Sequence, residues 1–434
     1  MYIKKASIEN IRSIKSLTWE PPNDQHPGWH VIIGDNGSGK STFLRAISLI
    51  LIFDESPALR ESFDYWIRKN SEDGRIFLDL IHDEDFDDFT SVLSEQQALI
   101  PPNPFKLEIL LKNINGKVIA GDRLHDPHNQ THPCRFISAQ KSRGLFSSAY
   151  GPFRRFTGGD EVYQSLVESH PRLAAHLSIF GENVAFTECL KWLKNLKFKQ
   201  LEDRTEEGQL LDSIIQFVNQ SEFLPFNARI DSISSDGVTF IDGNGCTIPV
   251  EEMSDGYRSI LSLTFELIQQ LVRVYGQDQI FDPEDATKII VPGVVLIDEI
   301  DVHLHPTWQR RIGFWFREHF PNIQFIVTTH SPLICQAATV GSVYRLPKPG
   351  TNENGEMITG QQLDRLLYGN VLDAYGTEAF GENVSRSDLS QEKLKQLAKL
   401  NQKAKYETLS PEESQERTAL KAMMPTNPDT TNYQ

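Results

Sequence analysis

Gly34, Gly39, Lys40 and Ser41 stand in the pattern G-x-x-x-x-G-K-[ST] within GDNGSGKST, a spacing suited to phosphate. Glycines let successive backbone N–H groups converge on one anion, where side chains would block the approach. A helix expected to open at Lys40 adds its positive end to the same charge. Lys40 is placed to bridge the β- and γ-phosphates of a nucleoside triphosphate, and Ser41 to ligate Mg2+. Gly34, Asn36, Gly37, Gly39, Lys40, Ser41 and Thr42 form the expected nucleotide contact. Two further segments carry chemistry. GVVLIDE at 293–299 ends an apolar run in adjacent carboxylates, Asp298 suited to holding Mg2+ through water and Glu299 to polarising an attacking water. IQFIVTTH at 323–330 ends in His330, which at the carboxyl end of a parallel strand would face a nucleotide crevice and sense a γ-phosphate.

Such residues need a sheet and helices behind them. WHVII at 29–33 reads as a buried strand running straight into the loop. After the loop, Phe43, Leu44, Ile47, Ile50 and Leu51 recur at helical spacing, so the loop joins a strand to a helix packed on the sheet. The expected fold is α/β: a P-loop core with a mixed sheet, a β-rich edge from segments near 75–80, 105–111 and 229–250, a helical insertion and a helical C-terminal tail. A second anion-suited helix start lies in MSDGYRSILSLTFELIQQL, 253–271, where a polar, glycine-containing turn opens a long apolar helix. One nucleotide needs one phosphate loop, so this turn is expected to complete the site of a partner molecule.

Together these motifs resemble the ABC-type ATPase family of SMC, RecF and OLD-like proteins, within the broad AAA group of ATPases. SDGYR matches the family's signature motif, with Ser254 and Gly256 in place and Asp255 where glycine is more usual. EIDVHLHPTWQRR, 299–311, matches the D-loop and the helix after it. IENIRSIKSL brings Arg12 to a position that contacts nucleotide in the family, and Gln140, ending RFISAQ, fits the Q-loop that couples Mg2+ and water to the lobe interface. The resemblance covers about residues 1–345. It implies lobe I at 1–150, a helical insertion at 151–225, lobe II at 226–345 and a helical region at 346–434 with a disordered end. It also implies ATP and Mg2+ as cofactors, with Ser41, Gln140 and Asp298 about the metal and Glu299, His330 and Gln140 about the reaction. Hydrolysis is expected to be slow, given Asp255. ATP would lie between the P-loop of one copy and the Ser254 turn of another, in a head-to-tail dimer.

Composition narrows the function classes. A net charge of −16 with a pI near 5.3 argues against a general nucleic-acid binder, which needs clustered Lys and Arg, though a local patch stays open. The longest apolar stretch, Phe43 to Phe53, is too short for a bilayer and contains Arg45; MYIKKASIEN has no apolar h-region. Cys134, Cys189, Cys246 and Cys335 form no CxxC pair. A cytoplasmic protein without a membrane partner is expected. HDPHNQTHPC, 125–134, reads as a polar loop rather than a zinc site, and DEDFDDF, 83–89, as a solvated acidic segment. In 185–198 the apolar Phe186, Cys189, Leu190, Leu193 and Leu196 share one helix face, with Lys191, Lys194, Lys197 and Lys199 mostly opposite, read as solvated rather than a docking patch. Arg143, Arg154 and Arg155 follow the Q-loop in a glycine-rich segment, where a functional and a structural role are both open.

Two strings point more narrowly. YGPFRRF and LYGNVLDAYGTEAFG, the latter at 367–381, resemble the ATPase subunits of prokaryotic Septu-type antiphage systems. The long coiled coil of SMC relatives is missing between Gln140 and Ser254, where Pro171 and Gly181 break the helices. No D-x-D pair of a Toprim nuclease follows His330. The resulting expectation is a regulatory or sensor ATPase of an antiviral defence complex, whose separate effector is a nuclease or toxin encoded nearby. The competing class is a RecF-like DNA-repair clamp that binds DNA directly; a transporter ATPase is a weaker third.

Overall fold

Strand β3 (Gly28–Ile33) is buried at all six positions, as a strand covered on both faces must be. Beside it run β12 (Ile323–Thr328) and β13 (Gly341–Arg345), both parallel to it, and beyond β12 lie β11 (Gly293–Ile297) and β7 (Ser147–Tyr150), parallel again. A two-residue strand, β14 (Glu356–Met357), closes the other edge antiparallel, giving the order β14-β13-β3-β12-β11-β7. The carboxyl ends of β3, β12, β11 and β7 therefore open on one edge, the place where open α/β sheets bind ligands. The computed structural model describes residues 1–434 apart from 23–24, 60–61, 90–101, 116, 123–143, 157–165, 182–185, 352, 371–387 and 424–434.

Helix α1 (Lys40–Leu51) buries Phe43, Leu44, Ile47, Leu49, Ile50 and Leu51. It is sandwiched between the parallel sheet and a second, antiparallel sheet ordered β2-β1-β4-β5-β6. That sheet consists of β1 (Tyr2–Ile11), β2 (Ile14–Trp19), β4 (Asp73–Ile81), β5 (Phe105–Ile114) and β6 (Lys117–Asp122). Strict alternation of burial along β4 shows one face turned to the core. The segments near 75–80 and 105–111 thus pair directly, as β4 with β5. Residues 229–250 do not join them. They form a separate meander of β8 (Arg229–Ile233), β9 (Val238–Ile241) and β10 (Thr247–Pro249), ordered β10-β9-β8. Asp242 closes its second turn by accepting the N–H groups of Asn244 and Cys246.

The insertion is helical: α2 (Pro171–Phe180), α3 (Thr187–Leu201) and α4 (Thr205–Val218). In α3 the buried residues are Cys189, Leu190, Leu193 and Leu196, while Lys191 pairs with Glu188, Lys199 with Glu207, and Lys197 donates to Gln200. Those lysines are satisfied locally. The long apolar helix α5 (Asp255–Tyr275), then α6 (Pro306–His319), the short α7 (Pro332–Cys335) and α8 (Gly360–Tyr368) complete a compact unit spanning Met1–Gly369. A second unit, Asn370–Gln434, holds α9 (Asp388–Tyr406) and α10 (Pro411–Met423). Ser410 and Glu413 exchange backbone and side-chain bonds at the start of α10, the capping box expected there.

One acidic residue departs from expectation. In 83–89, Asp87 is buried, and its carboxylate accepts the backbone N–H groups of Leu145 and, at 2.7 Å, Asp83. A carboxylate that satisfies two backbone donors is structural, whereas Glu84, Asp85 and Asp88 are exposed as expected. The histidine-rich stretch 125–134 lies outside the described residues. Among the described residues no helix is long and apolar enough to cross a membrane, and Cys189, Cys246 and Cys335 are free thiols.

Candidate active site

The loop between β3 and α1 can turn only because of its glycines. Gly37 and Gly39 have φ of 80° and 105°, a region that side chains rarely tolerate. A Cβ on Gly39 would lie 2.8 Å from the Ser13 hydroxyl and 3.0 Å from Ile14, so the loop is backed by the β1–β2 turn. Gly39 is also the N-cap of α1, and no side chain caps that helix. Lys40 is only 6% exposed, and its ammonium donates to the carbonyls of Gly34 at 2.8 Å and Asp35 at 3.2 Å. Burial pushes the Lys40 pKa down, while the negative charges of Glu299, Asp298, Asp35 and Asp301 oppose that shift. Ser41 and Thr42 are half-buried in the first turn, and Asn36 and Gly37 are exposed on the loop.

The carboxylate pair sits just past β11. Asp298 is 2% exposed; Thr328, ending β12, donates its hydroxyl to Asp298 Oδ1 at 2.6 Å. The same Thr328 oxygen accepts the Glu299 N–H at 2.7 Å. Glu299 has φ 47°, a left-handed conformation uncommon outside glycine, so its backbone is held by bonds rather than by preference. One of those bonds comes from Arg154, which is buried and donates to the carbonyls of Asp298 (2.9 Å) and Glu299 (3.1 Å). Further along, Thr329 donates to Asp301, and Ser331 to Gln309 at 2.7 Å; Gln309 donates to the carbonyl of Leu304 at 2.8 Å. The segment after Glu299 is thereby laced to the end of β12. His330, at that end, is exposed.

Other expected residues lie elsewhere. Arg12 sits at φ 48° in the β1–β2 turn, next to Ser13, with its guanidinium over the Trp66 ring at 4.7 Å. Ser254 is the exposed N-cap of α5. Gly256 backs onto His303: a Cβ there would lie 2.8 Å from the His303 carbonyl oxygen. Asp255 pairs with Arg258, so the acid that replaces the usual glycine is neutralised within its own turn. Ser254 and Gly256 border a cavity of about 430 Å3 whose walls include Phe226, Tyr257, Trp308 and His305. A cleft of about 260 Å3 beside the phosphate loop is lined by Gly37, Ser38, Lys15, Arg68 and Lys348. The two share no lining residue. Lys40, Asp298, Glu299 and His330 follow the carboxyl ends of β3, β11 and β12 in the parallel sheet. Gln140 lies outside the described residues.

Three groups at the site escaped sequence reasoning. Thr328 stands two residues before His330 and ties both carboxylate residues to β12. Gln309 reads as one polar residue of a helix face. Ser259 carries no local signal and is found only as a partner of Arg154. Among the described residues no three His, Cys, Asp or Glu side chains gather as a metal cluster.

Comparison with known proteins places this geometry. A family model described as "AAA domain" matches residues 5–228, and a second, described as "AAA domain, putative AbiEii toxin, Type IV TA system", matches 165–336. The chain is similar to the Septu protein PtuA of Bacillus mycoides, 25% identical over 395 residues, covering 90% of this chain and 46% of that protein. It is also similar to the Retron Vc95 probable ATPase of Vibrio cholerae, 25% identical over 354 residues, 71% of this chain and 67% of the relative. The chain thus spans about half the length of the first of these relatives. Among solved structures, an SMC head bound to the C-terminal winged-helix domain of ScpA superposes with a TM-score of 0.48 at 16% identity, over 83% of this chain and 99% of that one. With the AAA-domain model matching more than half of its length, across the phosphate loop, this chain belongs to the AAA-domain family.

Proposed function

We propose that the chain binds ATP with Mg2+ at the β3–α1 loop, hydrolyses it slowly, and closes on it as a head-to-tail pair. The observation that carries this reading is that Lys40, Asp298 and Glu299 follow the carboxyl ends of β3 and β11 in one parallel sheet, where the carboxylates' charge favours the ammonium's. The loop fits a phosphate chain: its glycines adopt backbone angles that free N–H groups, and a Cβ at Gly39 would meet Ser13. Ser41 and Asp298, with Gln140, would hold Mg2+, which supplies neutralisation of phosphate charge; protein sites for this ion commonly offer one or two carboxylates and leave the rest to phosphate and water. Lys40 exchanges its two carbonyl partners for phosphate oxygens. Glu299 orients and polarises the attacking water, and His330 reads the γ-phosphate from the end of β12. Arg12 is proposed to reach the nucleotide by leaving Trp66.

The Ser254 turn supports the pairing. It is an exposed helix N-terminus whose cavity shares no lining residue with the cleft beside the chain's own phosphate loop, so its ligand would be held by another copy. ATP then stabilises association by mass action, and loss of the γ-phosphate releases it. In the cell we infer a regulatory subunit of an antiviral defence complex, acting in the cytoplasm on a separate nuclease or toxin effector; the Septu and retron relatives support this. The division into lobe I (1–150), insertion (151–225), lobe II (226–345) and C-terminal region (346–434) belongs to the same reading. The test is a tagged pull-down of the protein expressed with its flanking genes, with and without ATP-Mg2+. A stoichiometric nuclease or toxin is expected. Recovery with DNA alone would replace the defence reading by the repair clamp.

A further inference from the structure

Among the described residues, Arg154 is a buried guanidinium that touches both the Asp298–Glu299 backbone and helix α5. It lies four residues past β7, 4% exposed. Its Nη1 donates to the carbonyls of Gly151 (3.0 Å) and Asp298 (2.9 Å), and its Nη2 to that of Glu299 (3.1 Å). Its Nε donates to the Ser259 hydroxyl at 2.9 Å, in the second turn of α5. Burial brings its pKa down to about 10, with Asp298, Asp301 and Glu299 favouring the charge, so it stays cationic at neutral pH. A planar fork with donors on three nitrogens can grip backbone and helix together; a lysine ammonium, a single point, cannot span them.

The geometry assigns Arg154 a positioning role: we propose that it couples the Ser254 turn, through Ser259, to the orientation of Glu299. Glu299 holds its left-handed backbone because Thr328 grips its N–H and Arg154 its C=O. Moving the guanidinium therefore turns the Glu299 carboxylate. Ser259 rides on the helix that Ser254 caps, so a ligand docking at that turn shifts the hydroxyl that Arg154 holds. In a head-to-tail pair the Ser254 turn serves the partner's nucleotide, while Glu299 serves the copy's own. Each Arg154 thus links the two nucleotide sites of the pair within a single chain, and hydrolysis at one site depends on occupancy of the other.

This rests on the ATPase reading above, and the experiment separates their failures. Hydrolysis rate is measured against ATP concentration for the full chain, alongside ATP binding and melting temperature. The wild-type curve is expected to be sigmoidal, with a Hill coefficient approaching about 2 for two coupled sites. Ser259→Ala, which cuts the helix end of the link and leaves the grip on Glu299, should bring the coefficient to about 1 with ATP binding unchanged and melting lowered, since Arg154 Nε loses its buried acceptor. Ser259→Thr, which keeps the hydroxyl, should restore it. Arg154→Lys should lower kcat by roughly 100-fold while the Kd for ATP holds, as expected for a misplaced catalytic group. A Ser259→Ala curve identical to a sigmoidal wild type, or a wild type that hydrolyses without cooperativity, overturns the coupling alone. A wild type that never hydrolyses ATP overturns both.

Discussion

The starts of α1 and α5 are both helix N-termini suited to an anion, and they are built in opposite ways. At α1 the loop is walled by the β1–β2 turn, its lysine is nearly buried, and carboxylates just past β11, beyond β12, act on its charge. At α5 Ser254 is exposed, Asp255 is 61% exposed and tied to Arg258, and the adjoining cavity is walled by Tyr257 and Trp308, their rings 5.5 Å apart. The first carries its own chemistry. The second offers a surface and needs something brought to it. A chain with one of each is what the proposed head-to-tail pair requires.

The largest expected effect tests the chemical half of that contrast. Glu299→Gln should lower ATP hydrolysis by roughly 10²–10⁴-fold, the range of a lost general base, while ATP stays bound. Hydrolysis at the parental rate would remove Glu299 from the reaction. Next comes the loop itself: Lys40→Ala should weaken ATP binding by about 10–150-fold, the worth of a charge-assisted hydrogen bond, as read by a fluorescent ATP analogue. An unchanged Kd would mean the loop is not the nucleotide site. The presenting half is tested by Ser254→Arg, which should leave ATP binding to the single chain within about 2-fold but weaken ATP-dependent association by at least about 10-fold in sedimentation. If the variant still pairs as the parent does, the Ser254 turn is not an interface.

The smallest effect is an opposite response to acid. His176 lies buried between Ser48 of α1, at 2.7 Å, and Ser147, and burial lowers its pKa to about 3. Its folded value lies below the unfolded 6.5, so the unfolded chain takes the proton first. The stability it contributes is complete above pH 6.5 and is lost as pH falls from there toward 3, by about 1.4 kcal/mol per pH unit. In α5, buried Glu266 is shifted the other way, upward, by desolvation. Its contribution is present below the ordinary carboxylate range and is lost as pH rises through the folded value. Corrected for the intrinsic slowing of amide exchange in acid, hydrogen exchange between pH 6.5 and 5 should therefore speed up in α1 relative to α5, and His176→Asn should flatten the difference. Equal acceleration in both helices would discard this account.

Much of the site was legible because its residues are contiguous. GDNGSGKST, GVVLIDE and SDGYR each carry strand, turn and helix cues within a few positions, so the glycines at positive φ and the paired carboxylates fall where their spacing puts them. The capping box at Ser410 and Glu413 is equally local. What could not be read is what depends on distant partners. Arg154 meets Ser259 and Asp298 across 105 and 144 positions, and nothing near it in sequence tells a buried brace from a solvated arginine. Asp87 looks like its exposed acidic neighbours until Leu145 supplies an N–H. The meander at 229–250 has strand-like residues, but composition does not say that its strands pair with each other rather than with β4 or β5.

Gly256 rests against the His303 carbonyl with no room for a methyl group between them. The turn that faces outward and the loop that follows Glu299 therefore meet backbone to backbone on the rim of one cavity. Any side chain at 256 would have to push that loop aside, so glycine sets how closely the outward turn and the carboxylate segment can lie.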